Sequence, residues 1–155
     1  RLHIAAVATG TARRLLRDAL EYASQRKQFG QPILDFQLIQ AMLADMQTEL
    51  LAAEAMVRDA ASRYDASRLT PDPHLKVVAA SCKYFVTEMV GRAADRAVQI
   101  HGGAGYMSEY KVERFYRDVR LLRLYEGTSQ ILQLVIAKGL KTHGVTPAAP
   151  DGSAN

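Results

Sequence analysis

An apolar stripe between residues 39 and 64 constrains the fold of this chain more than any other feature. Its side chains recur at alternating steps of three and four residues. This spacing aligns them on one face of an α-helix and is typical of a long helix in a bundle. Asp35 precedes the stripe and is the predicted N-cap of the helix. The stripe consists of Ile39, Met42, Met46, Leu50, Ala53, Val57, Ala60 and Tyr64.

Helical patterns cover most of the remaining chain, and turn signals separate them. Gly30 and Pro32 break the chain before the stripe helix, and Asp72 and Pro73 after it supply a cap and a first helical position. Residues 121–125 predict an extended connector before the last helix. The other predicted helices cover approximately residues 3–25, 73–100, 108–118 and 128–142.

These patterns together predict an all-α fold. Four long helices joined by short connections form an antiparallel four-helix bundle, with one additional short helix. We expect residues 1–143 to form this single domain. Residues 144–155 are rich in Pro, Ala and Gly and predict a disordered tail. No segment alternates as a β-strand does.

Composition excludes several classes of protein. The chain has 155 residues and is 48% hydrophobic, which is typical of a globular domain with a real core. Cys82 is the single cysteine, so no internal disulfide can form, and we expect it to be a small core residue in a reducing compartment. The net charge of +4 is spread along helices, without a basic strand or helix-turn-helix signal, so we expect no nucleic-acid binding. No apolar run has transmembrane length.

The sequence contains no recognisable metal or nucleophile motif. None of the four histidines pairs with another ligand at a metal-binding spacing, and Glu-x-x-His is absent. We therefore predict no metal site. The glycine-rich residues 102–105 follow a helix and not a strand, so they do not form a Rossmann fingerprint. They either end the helix or let a ligand or a partner subunit approach bare backbone.

Two other segments carry candidate chemistry. Glu126 lies between Tyr125 and Gly127, immediately before a predicted helix start. A carboxylate held there is either a catalytic base or a solvated charge near a favourable helix dipole. Arg26 ends a helix close to Phe29, and a cation beside an exposed ring can hold a pyrophosphate and a planar group.

The order of these motifs resembles the acyl-CoA dehydrogenase family, specifically its C-terminal helical domain. The resemblance runs from the first helix to about Lys141, and its motifs are specific as a set rather than singly. Smaller matches at Tyr22-Ala23 and Arg117-Asp118 support it. The motifs are Arg26-Lys27-Gln28-Phe29-Gly30, Phe36-Gln37, Gln99-Ile100-His101-Gly102-Gly103-Ala104-Gly105-Tyr106 and Tyr125-Glu126-Gly127-Thr128-Ser129-Gln130.

The resemblance implies an FAD-dependent α,β-dehydrogenation of an acyl-CoA thioester, as in fatty acid β-oxidation. Glu126 matches the base that removes the α-proton while the β-hydride passes to the flavin. Tyr125, Gly127 and Arg1 match substrate-binding positions. Two residues, Thr128 and Gln130, match positions that contact the FAD of the same subunit.

The resemblance also implies assembly into a homo-dimer or homo-tetramer. A second set of residues matches positions that reach the FAD of a neighbouring subunit. Electron-transfer flavoprotein is the implied electron acceptor, and bacterial cytoplasm or the mitochondrial matrix is the implied location. The second set consists of Arg26, Phe29, Gln37, Gln99, Ile100, Gly102 and Gly103.

The resemblance covers only part of the family's enzymes. Their N-terminal helical domain and middle β-domain, which supply most of the flavin and substrate walls, have no counterpart in this sequence. We therefore expect one domain of a larger enzyme, inactive on its own. Two alternatives stay open: a flavin oxidase or monooxygenase on the same fold, and a non-catalytic helical assembly module.

Overall fold

A computed structural model describes residues 1–147 and is helical almost throughout. The all-α prediction is confirmed. Residues 148–155, which include most of the predicted tail, lie outside the described residues. The helices are α1 (Leu2–Gln25), α2 (Gln37–Ala66), α3 (Leu75–His101), α4 (Val112–Leu122) and α5 (Ser129–His143), with short 3-10 helices at Ile33–Asp35 and Gly102–Tyr106.

Helix α3 is the centre of the fold, and each of the other four helices packs against it. Its buried residues therefore lie on several faces, including the polar residues Lys83 and Thr87. Gly139 of α5 faces Val77 of α3, and an added methyl group there would overlap the valine. The absent side chain thus lets the two helices approach closely.

The apolar stripe of α2 is largely confirmed. Met46, Leu50, Ala53 and Ala60 are buried in the core shared with α1 and α3. Tyr64, at the end of the stripe, is 49% exposed instead, because it lies in an open groove beside the start of α1.

Ion pairs between α2 and α3 define their relative direction. Asp45 and Glu49 both pair with Arg96, and Glu49 also pairs with Arg92, at N–O distances of 3.0–3.1 Å. The partner moves backwards along α3 as the carboxylate moves forwards along α2. The two helices are therefore antiparallel.

Helix α5 is antiparallel to α3 by the same criterion. Ser129, at its start, bonds Glu88, and Gln133, one turn later, bonds Tyr84, which precedes Glu88 on α3. Helices α1 and α3 are parallel, because the start of α1 lies beside the start of α3 and Tyr22, near the end of α1, stacks on His101 at the end of α3. The four long helices therefore alternate in direction, and α4 is the additional short helix.

The predicted starts of α2 and α3 are wrong. Asp35 belongs to the 3-10 turn, and Phe36 occupies the N-cap position of α2 without a side-chain hydrogen bond. Packing decides this start, because Ile33 is buried and Phe36 packs against the core. Helix α3 begins at Leu75 rather than at Pro73, since the Asp72 carboxylate accepts a hydrogen bond from the His74 N–H (2.8 Å) in a turn before it.

The region before α5 also differs from the prediction. Helix α4 begins at Val112 and continues to Leu122, and residues 123–126 then turn instead of extending. Leu122 is only 7% exposed, so packing holds the last turn of α4 against the core. The extended connector over residues 121–125 was therefore a wrong prediction.

A short β-hairpin with strands of two residues each links α1 to α2, and the sequence did not predict it. Strand β1 (Lys27–Gln28) pairs antiparallel with β2 (Gln31–Pro32). The two residues between them, Phe29 and Gly30, have φ angles of +51° and +84°. Positive φ at both central positions is the geometry of a tight hairpin turn.

Among the residues that the structure describes, no helix is long and apolar enough to cross a membrane. No three His, Cys, Asp or Glu side chains are grouped there as metal ligands would be. Cys82 is buried, and this burial, with the Asp59 charge adding to it, raises the pKa of its thiol to about 11. The thiol therefore stays protonated, as expected of a core residue.

Candidate functional site

The Glu126 turn, residues 123–128, joins α4 to α5 in an unusual backbone conformation. Glu126 has φ +57° and Gly127 has φ +100°. Non-glycine residues seldom adopt a positive φ, and such positions persist only where surrounding structure enforces them. The Glu126 side chain is 47% exposed, so the turn directs a carboxylate away from the bundle.

Lys83 of α3 holds this turn from inside the bundle. Its side chain is fully buried, and its Nζ donates hydrogen bonds to the carbonyl oxygens of Tyr125 (3.0 Å) and Gly127 (2.6 Å). These carbonyls flank Glu126 on both sides. Burial lowers the pKa of Lys83, the Arg1 charge lowers it further, and the Glu126 and Glu88 carboxylates act in the opposite direction.

Glu88, one to two turns further along α3, fixes the two ends of the turn. Its carboxylate accepts hydrogen bonds from the Ser129 hydroxyl (2.5 Å) and from the Arg123 guanidinium (3.2 Å). Thr128 is the N-cap of α5, and its hydroxyl oxygen accepts a hydrogen bond from the Ile131 N–H (3.3 Å). The backbone on both sides of Glu126 is therefore anchored to α3 and α5.

The outer side of the turn is open and faces the start of α1. The backbone nitrogen of Arg1 lies 3.8 Å from the Glu126 carboxylate. Among residues 1–147, the backbone N–H of Glu126 has no protein acceptor. An exposed carboxylate and an unused N–H donor thus belong to the same residue.

A second candidate site, the hairpin cleft, lies between the end of α1, the β-hairpin, the start of α2 and the 3-10 turn after α3. Its volume is about 950 Å³, which is within the range of ligand pockets. Six predicted cofactor residues line it: Arg26, Phe29, Gln37, Ile100, Gly102 and Gly103. Gln99, the seventh of that set, is exposed on α3 and does not line the cleft.

The hairpin cleft offers a cation, an exposed ring and bare backbone. Phe29 is 94% exposed and makes an edge contact with Phe36 at 6.1 Å between ring centres. Neither Gly102 nor Gly103 has any atom within 4 Å of where a Cβ would lie, so a ligand can approach the backbone there. Together with Arg26, these groups suit an anionic phosphate attached to a planar ring.

His101 forms the inner wall of this cleft and was missed by the sequence prediction. Its ring stacks on Tyr22 at 4.2 Å, and its Nδ1 lies 2.8 Å from the Ala97 carbonyl oxygen, to which it donates as the N–H tautomer. Burial lowers the pKa of His101, although the Ala97 bond and the Asp18 charge oppose this. The ring is therefore neutral at pH 7 and acts as a packed wall.

The two sites lie at opposite ends of α1. Arg1 is beside Glu126, and Arg26 is in the hairpin cleft. The 24 residues of α1 separate them by roughly 36 Å at ~1.5 Å per residue. The predicted residues therefore sort into a Glu126 set, with Arg1, Tyr125, Gly127, Thr128 and Gln130, and a hairpin set.

Lys83 and Glu88 are the other residues that the sequence prediction missed. Lys83 is a lone charge in an apolar stretch of α3, between Cys82 and Phe85. That position could have identified it as a buried charge, because lysine is almost never fully buried unless it is paired. Its partners are carbonyl oxygens more than 40 residues away, at separations of 42 and 44, and no local pattern encodes them.

Comparisons with known proteins agree on one family. Residues 1–141 match the family model described as acyl-CoA dehydrogenase, C-terminal domain. The probable acyl-CoA dehydrogenase YngJ of Bacillus subtilis is 51% identical over 90% of this chain and 36% of its own length. The caffeyl-CoA reductase-Etf complex subunit CarC of Acetobacterium woodii is 46% identical over 88% of this chain and 35% of its own.

Solved structures give the same result. Butyryl-CoA dehydrogenase from Megasphaera elsdenii matches with a TM-score of 0.83 at 39% identity, over 91% of this chain and 36% of that one. The complex of PigA with FAD matches with a TM-score of 0.82 at 29% identity, over 88% of this chain and 34% of that one. The chain thus spans about a third of the length of the proteins it matches.

Proposed function

Because this chain belongs to the acyl-CoA dehydrogenase family, as its C-terminal domain, we propose that Glu126 is the catalytic base of an FAD-dependent acyl-CoA dehydrogenase. One observation carries this proposal: Glu126 lies on an enforced left-handed turn with an exposed carboxylate. A solvated surface charge does not require such a conformation. A base that must meet one particular proton does.

The reaction requires a base and a hydrogen-bond donor at the same place. Glu126 takes the α-proton of the thioester, which is weakly acidic until charge on the thioester oxygen is stabilised. The unused N–H of Glu126 supplies a donor to that oxygen. Tyr125, Gly127 and Arg1 border the same open face and contact the acyl group.

FAD is the cofactor indicated for this chain by the family's solved structures, the FAD complex of PigA among them. When bound, it accepts the hydride from the β-carbon. Thr128 and Gln130 lie at the Glu126 end and would contact the flavin of their own subunit. The hairpin set has the cation, ring and bare backbone to bind the diphosphate part of an FAD.

The separation of the two sets supports an assembled enzyme. Since α1 holds them roughly 36 Å apart at ~1.5 Å per residue, the hairpin set serves the FAD of a neighbouring subunit. The working protein is accordingly a homo-dimer or homo-tetramer. A non-catalytic helical module would not need the Glu126 turn, and a flavin monooxygenase on this fold would not need an α-proton base.

The reaction can run as oxidation of the acyl thioester or as reduction of its α,β-double bond. Two relatives are reductases by name, the CarC subunit and the 3-(aryl)acrylate reductase of Clostridium sporogenes, at 46% and 45% identity. In the reducing direction Glu126 returns a proton to the α-carbon, with the same geometry. Electron-transfer flavoprotein is the proposed redox partner, because CarC is named as a subunit of an Etf complex. We place the enzyme in fatty acid β-oxidation or aryl-acyl-CoA metabolism, in bacterial cytoplasm or the mitochondrial matrix.

The test replaces Glu126 with Gln in the full-length protein that carries this chain. Anaerobic mixing with butyryl-CoA, isobutyryl-CoA or 3-phenylpropionyl-CoA, followed by flavin bleaching, measures the reductive step. Loss of a general base commonly costs about 10²–10⁴-fold in rate, and we expect at least this loss with the binding of acyl-CoA retained. Glu109→Gln, at an exposed glutamate in the loop before α4, is the matched control.

Bleaching of the Glu126→Gln variant at the wild-type rate would end the base assignment. Bleaching with a phenylpropionyl but not a butyryl thioester would identify an aryl-acyl substrate. Flavin binding without bleaching by any of the three, in the wild-type protein, would instead favour a monooxygenase on the same fold.

A further inference from the structure

Lys83 is the largest side chain in the fully buried part of the fold. Its Nζ lies inside the bundle, where desolvation disfavours a charge. Its hydrogen-bond partners are two main-chain carbonyls of one turn, Tyr125 and Gly127, and no side chain of residues 1–147 is within ion-pair distance of it. An apolar residue of similar length would fill the space without this desolvation cost.

The position of the two carbonyls gives Lys83 a specific effect. They belong to the residues directly before and after Glu126, so the ammonium group clamps the backbone on both sides of the carboxylate. Two hydrogen bonds from a single Nζ fix the 125–126 peptide group relative to the 127–128 peptide group. The backbone torsions between these groups are φ and ψ of Glu126 and Gly127, so the bonds restrain both residues together in their positive-φ conformation and thereby the direction of the Glu126 side chain.

The remaining contacts of the turn cannot replace the clamp. Arg123 and Ser129, held by Glu88, secure the segment where it leaves α4 and enters α5. The main-chain bonds of Tyr125 to Leu121 and of Ser129 to Arg123 likewise hold only the two ends of the turn. Without the ammonium group, the Tyr125 and Gly127 carbonyls lose their link to α3, and a φ of +57° at Glu126 would relax toward the negative values that glutamate prefers.

We propose that Lys83 is a positioning residue for catalysis, which holds Glu126 in the left-handed conformation that aims its carboxylate at the α-carbon. This inference rests on the proposed role of Glu126 as the base. Lys83 does not touch the substrate in this scheme. It acts through the main chain, and its contribution is geometric.

The experiment compares Lys83→Met, Lys83→Arg and Thr87→Val in the full-length flavoprotein. Methionine keeps the length and the apolar stem but removes the donors, whereas arginine keeps a cation with several donors. Thr87 is buried one turn along α3 and its hydroxyl donates to the Lys83 carbonyl (2.8 Å), so its substitution by valine removes a buried hydrogen bond next to Lys83 without touching the turn.

We expect Lys83→Met to slow flavin bleaching by butyryl-CoA, isobutyryl-CoA or 3-phenylpropionyl-CoA, whichever is the best substrate. A misplacement of about 1 Å can cost about 100-fold, so a loss of 10- to 100-fold is expected in the limiting rate, with the acyl-CoA dissociation constant within about threefold of wild type. Lys83→Arg should recover most of the rate. Thr87→Val should keep it.

Hydrogen exchange gives a readout that does not depend on activity. Peptides covering residues 123–129 should exchange faster in Lys83→Met than in wild type, and Thr87→Val should leave them unchanged. Equal exchange in this segment for Lys83→Met and wild type would overturn the clamp.

A double-mutant cycle separates this inference from the base assignment. If Lys83 acts only through Glu126, then Lys83→Met adds no further loss in a Glu126→Gln background. The same fold-loss in both backgrounds, or wild-type bleaching by Lys83→Met, would refute the positioning role. Failure of the base assignment would give a different result, because Glu126→Gln alone would then keep the wild-type rate of flavin bleaching. If Lys83→Met yields no folded flavoprotein, Lys83→Gln takes its place in the same measurements, and the same results support or refute the proposal. Its shorter amide reaches at most one of the two carbonyls.

Discussion

The backbone angle at Glu126 is the observation on which its proposed role as the base rests. Its φ of +57° is a left-handed conformation that glycine, asparagine and aspartate adopt more often than glutamate does. The glycine that follows relieves the strain only at its own position. The rest is enforced by partners on α3, which is why the turn depends on residues 35 and 42 positions away.

His101 gives a prediction at the same scale. Burial lowers its pKa below the ordinary value of 6.5, so the unfolded chain binds a proton more readily than the folded one. The free energy of unfolding contributed by His101 is therefore fully present above the unfolded pKa, and it is lost as the pH falls below about 6.5. Urea unfolding of the 155-residue chain at about pH 7 and about pH 5 should show this loss, and His101→Gln should lose less.

His3, exposed on the first turn of α1, supplies the control for that measurement. His3→Gln should keep the pH dependence of the wild-type chain. An identical slope for the His101→Gln variant and the wild type would show that the buried ring does not titrate in this range.

At the scale of elements, the 3-10 turn that follows α3 packs closely against the last residues of that helix. Gly105 lies where an added Cβ would come within 2.7 Å of the Val98 carbonyl oxygen and 2.8 Å of the His101 Cβ. Both atoms belong to a packed helix and cannot yield easily. Gly103, two residues earlier in the same turn, has open space at the corresponding point.

This difference predicts opposite results for two alanine substitutions. Gly105→Ala should lower the free energy of unfolding by about 1–3 kcal/mol, the usual cost of overpacking. Gly103→Ala should change it by less than about 0.5 kcal/mol, as is usual for substitutions in open positions. Urea titration of both variants measures the difference, and equal stabilities would contradict the close approach.

At the scale of the whole molecule, the hairpin cleft leaves apolar groups uncovered. Phe29 and Leu38 are 94% and 81% exposed on its rim. Exposed apolar groups next to a ligand-sized cleft are typical of a surface that another molecule covers. In the proposed assembly this surface meets the flavin and the chain of a neighbouring subunit.

We therefore expect the 155-residue chain to self-associate at micromolar concentration, as light scattering would record. Phe29→Asp should shift the population toward monomer, because it places a charge in the middle of the contact. Leu69→Asp, at an equally exposed leucine between α2 and α3, should not. A folded wild-type chain that stays monomeric at these concentrations would count against the interface.

The sequence by itself determined the helical character of the chain and the segments that carry its chemistry. Periodicity is a local property, so the stripe on α2 and the breaks at Gly30 and Pro73 could be read directly. The family was also accessible, because short motifs in a fixed order are a feature of the sequence. Glu126 could be singled out in the same way.

Only the tertiary structure decided where helices begin and end and what holds the Glu126 turn. Helix α4 extends to Leu122 and α2 begins after Phe36, in both cases because side chains pack against the core rather than because a local capping residue is present. The clamp at Lys83 joins residues 42 and 44 positions apart. Such partners meet only when the chain folds, since burial and hydrogen bonding between distant residues are properties of the packed bundle and not of any segment within it.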